Sequence, residues 1–567
     1  MPTIQLNNFG GIVPRIHPTL LPHNCAIKAH NCLLKNDKLV PLKEPGSVSV
    51  QSSDIFYLPR NDALSNFSNA KTLHIWNQGE SRMFVCSNEL FDCVPGNFYE
   101  DEQYKFYAAG AKIGEDKNYK DVYVIYRLGN TNKIMSLYKK QPDAPIVRVE
   151  RNGSLTDEQR ENLRYTYFFQ SWVDELGFES EASPPSEEVE YLDGEKVFIS
   201  TLGNQPANAK KRRIYKVITG LELGGTPQFV YEQDKDLENG FSEVGFIVKD
   251  EDAGEVMPSI TNPHRKVEGI CTAPGGYAIW CSCSPKTVRF SDGAPNNFPD
   301  EYAYEVEYEI VGLASAGNSV YVLTKGYPFV ITGTTPDTMV VTKLASMQAC
   351  VSRQSICVVD NAVYYASNDG LCMITEGVMA VNNVTESFFS KRDWGKIVSQ
   401  DMIVCAYDST LYLWNPKQTD IGYAICFIDK TSALTTFDGG VRAVTVDPVT
   451  DKMYFITKDN NPRLVAWEDD DSEKKFTWRS KRFQTEKPLN LSSAQIYADG
   501  YPVKLIINSA SSPDEPVEVG RNEVEIDINS QGSRRLPMRR PEKFIEVEVQ
   551  SEYPINTIKL STSMGEM

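Results

Sequence analysis

The side chains best suited to chemistry cluster near the start of the chain: His17, His23, Cys25, His30 and Cys32. Imidazoles and thiolates bind zinc, and four such ligands complete a tetrahedral site. Spacing identifies zinc sites, and this spacing matches no established pattern. Residues 24–34 also read as a short helix, capped by Asn24, with Ala26, Ala29 and Leu33 along one side. A surface segment without metal is expected. No C-x-x-C pair occurs among the twelve cysteines. Cys271, Cys281, Cys283, Cys350, Cys357, Cys372 and Cys405 sit in or beside apolar runs, as free buried thiols in a reducing compartment would.

Other catalytic patterns are missing. There is no G-x-S-x-G elbow, and four of the five histidines precede residue 75, which leaves His264 isolated. With 76 acidic residues, chance carboxylate pairs carry no information about glycosidase chemistry. Ser291-Asp292-Gly293 and Ser367-Asn368-Asp369-Gly370 echo part of a sialidase turn but read more simply as hairpins. No phosphate-binding glycine loop is present. The expectation is a protein that is not an enzyme, with no catalytic residue and no cofactor. Two basic spots remain: Lys210, Lys211 and Arg212, and Arg534, Arg535, Arg539 and Arg540 around Leu536-Pro537-Met538. Against a net charge of −18 they read as a solvated face or as contacts with an acidic partner before nucleic acid.

The elements that would position these residues are strands. Aromatics make up 11% of the 567 residues, and Tyr, Phe, Val, Ile and Thr recur in short runs between polar turns. Ser319–Thr324, Ala362–Ala366, Thr410–Trp414 and Lys452–Ile456 share an apolar-Tyr-apolar theme after an Asn- or Asp-bearing turn. They recur every 42 to 48 residues, the size of one propeller blade. Only residues 386–397 suggest a further helix. Residues 1–11 lack a basic and an apolar leader region, so no signal peptide is predicted. No apolar run reaches the ~20 residues that span a bilayer.

The expected fold is mostly β: a β-propeller with an inserted immunoglobulin- or fibronectin-like sandwich and a C-terminal β-domain. Residues 1–53 form an extended arm and short helix, 54–142 the first blades, 143–255 the sandwich, 256–470 the remaining blades and 471–567 the terminal domain. The number of blades is not legible.

Several passages, in order along the chain, resemble one family. They are the opening Gly10–Leu42, Tyr165–Glu187 (YTYFFQSWVDELGFESEASPPSE), Lys211–Val217, Val288–Tyr302, Ile310–Met339, Gln348–Leu371, Phe476–Phe483 and Arg534–Arg540. Together they resemble the nozzle proteins (tail tubular protein B) of short-tailed bacteriophages. The resemblance implies a structural virion component assembled in the host cytoplasm. It implies a homohexameric ring below the head-to-tail adaptor, surrounding and gating the channel by which genomic DNA leaves. Tail fibres or spikes would attach to its sides. Competing expectations are a carbohydrate-active tail depolymerase and an adhesion or scaffold propeller.

Overall fold

The computed structural model describes residues 4–566 except 59–66, 79–80, 97–103, 114–117, 152, 201–204, 218–225, 234–242, 250, 252–253, 274–278, 284, 418–420, 429–430 and 514–522. Short antiparallel strands dominate it, and they assemble into consecutive small sheets. Blade one contains Ile55–Leu58, Thr72–Gln78 and Ser81–Ser87. Blade two contains Asp92–Pro95, Phe106–Ala109, Tyr123–Leu128 and Thr131–Ser136. Blades three to six begin at Val267, Ile310, Cys357 and Ile403, each with four strands in chain order. Blade seven has Val441–Asp447, Lys452–Thr457 and Leu464–Ala466. Its outermost strand is Gly46–Ser47, from the segment before blade one, which pairs with Val465 and Ala466. The ring is thus clasped by an early piece of chain added to the last blade.

Seven apolar cores separate the seven blades and close the circle. The recurring apolar-Tyr-apolar theme is the second strand of blades four to seven. Because each blade is covered on both faces, these strands are almost wholly buried rather than alternately wet. Alternate residues serve opposite neighbours. Val320 and Val322 enter the core with blade three, while Tyr321 and Leu323 enter that with blade five. Likewise Leu411 and Leu413 face blade five, and Tyr412 and Trp414 face blade seven. Full burial of one such side chain contributes about 1.5–3 kcal/mol. Asp360-Asn361 and Asp408-Ser409 supply the paired positive φ angles of the tight turns before two of these strands.

The inserted sandwich follows blade two. One sheet joins Ile146–Val149, Lys196–Ser200 and Val244–Ile247, and another joins Phe168–Asp174, Ala209–Val217 and Pro227–Gln233. Phe168, Val197, Ile199, Ile214 and Phe246 fill the space between them. The serine- and proline-bearing stretch after Asp174 is not a free loop. Ser180, Ser183 and Ser186 donate their backbone N–H groups to the carbonyls of Trp172, Gln170 and Phe168 at 2.8, 2.8 and 2.9 Å. Their hydroxyls accept from the N–H groups of the same three residues at 3.0 Å each. A spacing of three, with Pro184 and Pro185 between, is the repeat of an extended polyproline-type strand. The serines zip that strand along the sheet edge.

The helix expected over residues 24–34 is absent. Ala26–His30 and Cys32–Lys35 are strands, separated by Asn31 at φ 57°. The apolar residues looked helical because the segment is buried on two sides. Cys32 and Leu34 enter the core of the terminal domain, and Leu33 enters the core between blades six and seven. The expected N-terminal arm therefore contributes strands to the terminal β-domain. Ile4–Leu6 pairs with Ile555–Ser561, Ala26–His30 with Phe476–Ser480, and Lys38–Pro41 touches Ile555. A single parallel contact between His30 and Thr436 makes one terminal sheet continuous with blade six. The helix suggested over 386–397 shrinks to Lys391–Trp394, capped by Ser390, with the Trp394 indole N–H donating to the Ser367 carbonyl at 2.7 Å. A helix at Asp157–Glu161, with a Thr156/Gln159 capping box, escaped the sequence reading.

Candidate functional site

Two cavities among the described residues bear on function. The first is the propeller bore, about 400 Å³, walled by the inner strands of blades one, five, six and seven and by Leu90–Asp92 at the start of blade two. At ~30 Å³ per molecule this holds about a dozen waters. Arg353, just before the inner strand of blade five, reaches across it. Its Nε donates to Asp92 Oδ1 at 2.9 Å, and its second amino nitrogen lies 2.6 Å from Oδ2. The latter also donates to the Ala109 carbonyl at 3.2 Å. Gly110, at φ +106°, makes room for the guanidinium, because a Cβ there would sit 2.5 Å from two of its nitrogens. One arginine thus pins blade five to blade two across the ring. Gln354 adds a bond to the Lys71 carbonyl at 2.6 Å.

The bore is poorly arranged for catalysis. His74 is held by the Phe91 carbonyl at 3.1 Å, and burial lowers its basicity. Cys357 and Cys405 line the wall, but burial pushes both thiols up, Cys405 to about 12. Neither is a thiolate at neutral pH, so neither is a ready nucleophile.

The second cavity, about 650 Å³, is an open cleft where the sandwich meets the propeller. Below it the two bodies are locked together. Leu176 and Phe178, in the turn after Asp174, pack into the core between blades two and three. Lys139 Nζ lies 2.8 Å from Asp174 Oδ2, with both side chains fully buried. Desolvation lowers the Lys139 ammonium, opposed by Asp174. Glu175 receives Lys133 at 2.9 Å and the Tyr126 hydroxyl. Asn296 donates to the Glu179 carbonyl at 2.6 Å, and Asn262 to that of Lys139 at 2.7 Å.

The residues singled out from sequence fall in different places. His17 bonds Thr19, His23 packs on Phe483, and His30 contacts Asp438 at 3.1 Å. Cys32 is in a core, and among the described residues no group of three or more metal-type ligands forms. Every cysteine with a described side chain is a free thiol, while the side chains of Cys281 and Cys283 lie outside the described residues. Lys210, Lys211 and Arg212 do not make an open basic patch. Arg212 is fully buried, so it cannot be a surface contact, and burial lowers it to about 10. Lys211 lies 3.4 Å from Glu232. Arg534, Arg535 and Arg540 are exposed on the terminal domain. The Arg353–Asp92 pin leaves no mark in the sequence because its partners are 261 residues apart.

No family model and no curated protein matches the chain. Solved structures with some similarity include the β-propeller domain of Cps50 (Swd1) from Myceliophteria thermophila, at 10% identity over 47% of this chain and 89% of that one, TM-score 0.27. Sqt1 from Saccharomyces cerevisiae is 10% identical over 61% and 93%, TM-score 0.26. BamB from Moraxella catarrhalis is 10% identical over 36% and 84%, TM-score 0.19. Scores this low carry no argument. The fold follows from the strand order and the seven cores: a clasped seven-bladed β-propeller bearing two β-sandwich modules.

Proposed function

We propose that this chain is a structural subunit of a bacteriophage tail nozzle. Six copies form a ring below the adaptor, with fibres or spikes held on the outside and DNA passing through the middle. The likeness of several passages, in order over nearly the whole sequence, supports this reading. The observation that carries it furthest is the pinned bore. A cavity of about 400 Å³ crossed by Arg353 is a poor path for a nucleic-acid strand, and in this reading the passage lies between copies. Buried contacts join both modules to the propeller, as suits a part that bears load. A net charge of −18 suits a conduit, because lumen carboxylates repel phosphates and limit sticking. Imaging of the purified chain, alone and with the adaptor, tests the proposal. The expected particle is a six-fold ring with an acidic central hole. A neutral or basic lumen sinks the mechanism, and a stable monomer that releases glycan replaces the whole reading.

A further inference from the structure

The terminal domain is closed on one side and open on the other. One of its sheets runs Cys32–Lys35, Lys38–Pro41, Ile555–Ser561, Ser493–Ala498, Arg534–Arg535. The first of these strands lies against blade six, and the last has no further strand beside it among the described residues. Beyond that edge, residues 529–541 (NSQGSRRLPMRRP) carry four arginines and no carboxylate. All but Leu536 and Arg539 are exposed, and Met538 reaches 93%. Leu536 anchors the segment in the core.

The charges here are not balanced from within. Arg148, Arg265, Arg353, Arg479 and Arg482 all pair with a carboxylate at 3.0 Å or less. Arg534 and Arg535 pair with none among the described residues, and Arg540 comes only within 3.8 Å of Glu542. The guanidinium nitrogens of Arg539 are buried with no hydrogen-bond partner, and burial lowers the group to about 10. Leaving an unpaired cation in this state is costly. Exposed Met with clustered Arg is also the composition of a protein interface core. An apolar tip does not suit phosphates.

The same chain carries the complementary surface. Where blades six and seven meet the terminal domain, Asp408, Asp451 and Asp469 are exposed and Glu468 and Glu473 half-buried. Asp408 is partly offset by Lys35 of the blade-side strand and Asp469 by Lys452. Lys43 bridges to Glu473 through the backbone and Lys474 lies 3.7 Å from Glu44, while the Asp471 side chain has no ion-pair partner among the described residues. This seam adjoins the blade-side edge of the terminal sheet. Across five strands spaced ~4.8 Å, it lies about 20 Å from the basic edge, too far for one molecule to neutralise itself.

We propose that residues 529–541 are a peg that docks on the acidic seam of a second copy of this chain, joining copies head to tail. Different surfaces meet in such a contact, so repetition closes a ring when the rotation permits. The inference deepens the ring reading and rests on it only for the number of copies. On docking, Arg539 turns to a carboxylate of the neighbour and its burial cost is relieved.

Charge-swapped variants of the full chain test the peg, with assembly read by native mass and sedimentation at low and high salt. Arg534→Glu with Arg535→Glu should abolish assembly while leaving circular dichroism and the melting midpoint unchanged. Asp469→Lys with Asp471→Lys should do the same. Mixing the two variants should restore assembly, because both contacts in an alternating ring are then complementary. Arg539→Met should melt no lower than wild type yet assemble more weakly, which a purely structural role would not produce. A wild-type chain that stays monomeric at every concentration overturns the peg, as does assembly indifferent to the arginine changes. Failure of the mixture to reassemble overturns the seam as its socket. Loss of duplex-DNA binding without any change in assembly would give the loop to nucleic acid instead. A head-to-tail assembly of another number would remove the nozzle reading and keep the peg.

Discussion

Arg353 joins opposite walls of the propeller bore through a single side chain. A forked guanidinium satisfies both Asp92 oxygens and the Ala109 carbonyl at once. Lysine cannot make that pattern. Arg353→Lys should therefore behave nearly as badly as Arg353→Met, each costing about 2–3 kcal/mol through lost charge-assisted bonds. Hydrogen exchange at blades two and five measures this, and a lysine variant as protected as wild type would contradict it. Lys216 makes a second residue-level case. It is fully buried, with its Nζ 3.2 Å from the Tyr191 hydroxyl, and desolvation brings it down to about 8. Between about 8 and the ordinary lysine value of ~10.4, the unfolded chain holds a proton that the folded chain has released. Stability from this group thus rises with pH across that window, and below it the folded state bears the whole cost of the charge. The melting midpoint of wild type relative to Lys216→Met should climb from pH 8 to pH 10, with the variant more stable at pH 7. A pH-independent difference would contradict the assignment. Neither residue was legible in the sequence as anything but a surface cation. Burial is a property of what folds over a residue, and for Arg212 it removed an expected contact altogether.

Among elements, the docking turn after Asp174 carries the most consequence. It ties the sandwich to blades two and three through one fully buried ion pair and two apolar side chains. Removing one partner of a buried pair leaves the other charge stranded, at about 3–5 kcal/mol. Lys139→Met should therefore destabilise the junction by that order. Lys139→Met combined with Asp174→Leu should recover part of it. Limited proteolysis between residues 139 and 145 reads the effect, and equal cleavage of the single and double variants would argue against the pair as the cause. The strands were legible because their turns are marked by Asn, Asp and Gly and because the blade period repeats. The segment 24–34 was misread because two-sided burial erases the alternation that distinguishes a strand from a helix. The serine ladder was visible only as a polar loop, although its spacing of three was present in the sequence all along.

For the whole molecule, closure is the governing fact. Gly46–Ser47 completes blade seven, and the strands before it complete the terminal domain, so early and late parts of the chain fold as one unit. The number of blades could not be counted beforehand, because the sandwich interrupts the repeat and blade seven borrows a strand from before blade one. Deleting residues 4–47 should open blade seven and expose the aromatic cluster of Tyr412, Trp414, Phe437 and Trp467, whose neighbouring rings lie 5.0 to 6.1 Å apart. A blue-shifted tryptophan emission that persists after deletion would contradict the clasp. The central claim is that passage lies between propellers and not through them. Single-particle imaging of the purified assembly tests it most directly. The account predicts a six-fold ring with one wide central hole and six closed propeller bores around it. A lone monomer, or a particle whose only opening is the bore of a propeller cleared of Arg353, would contradict it.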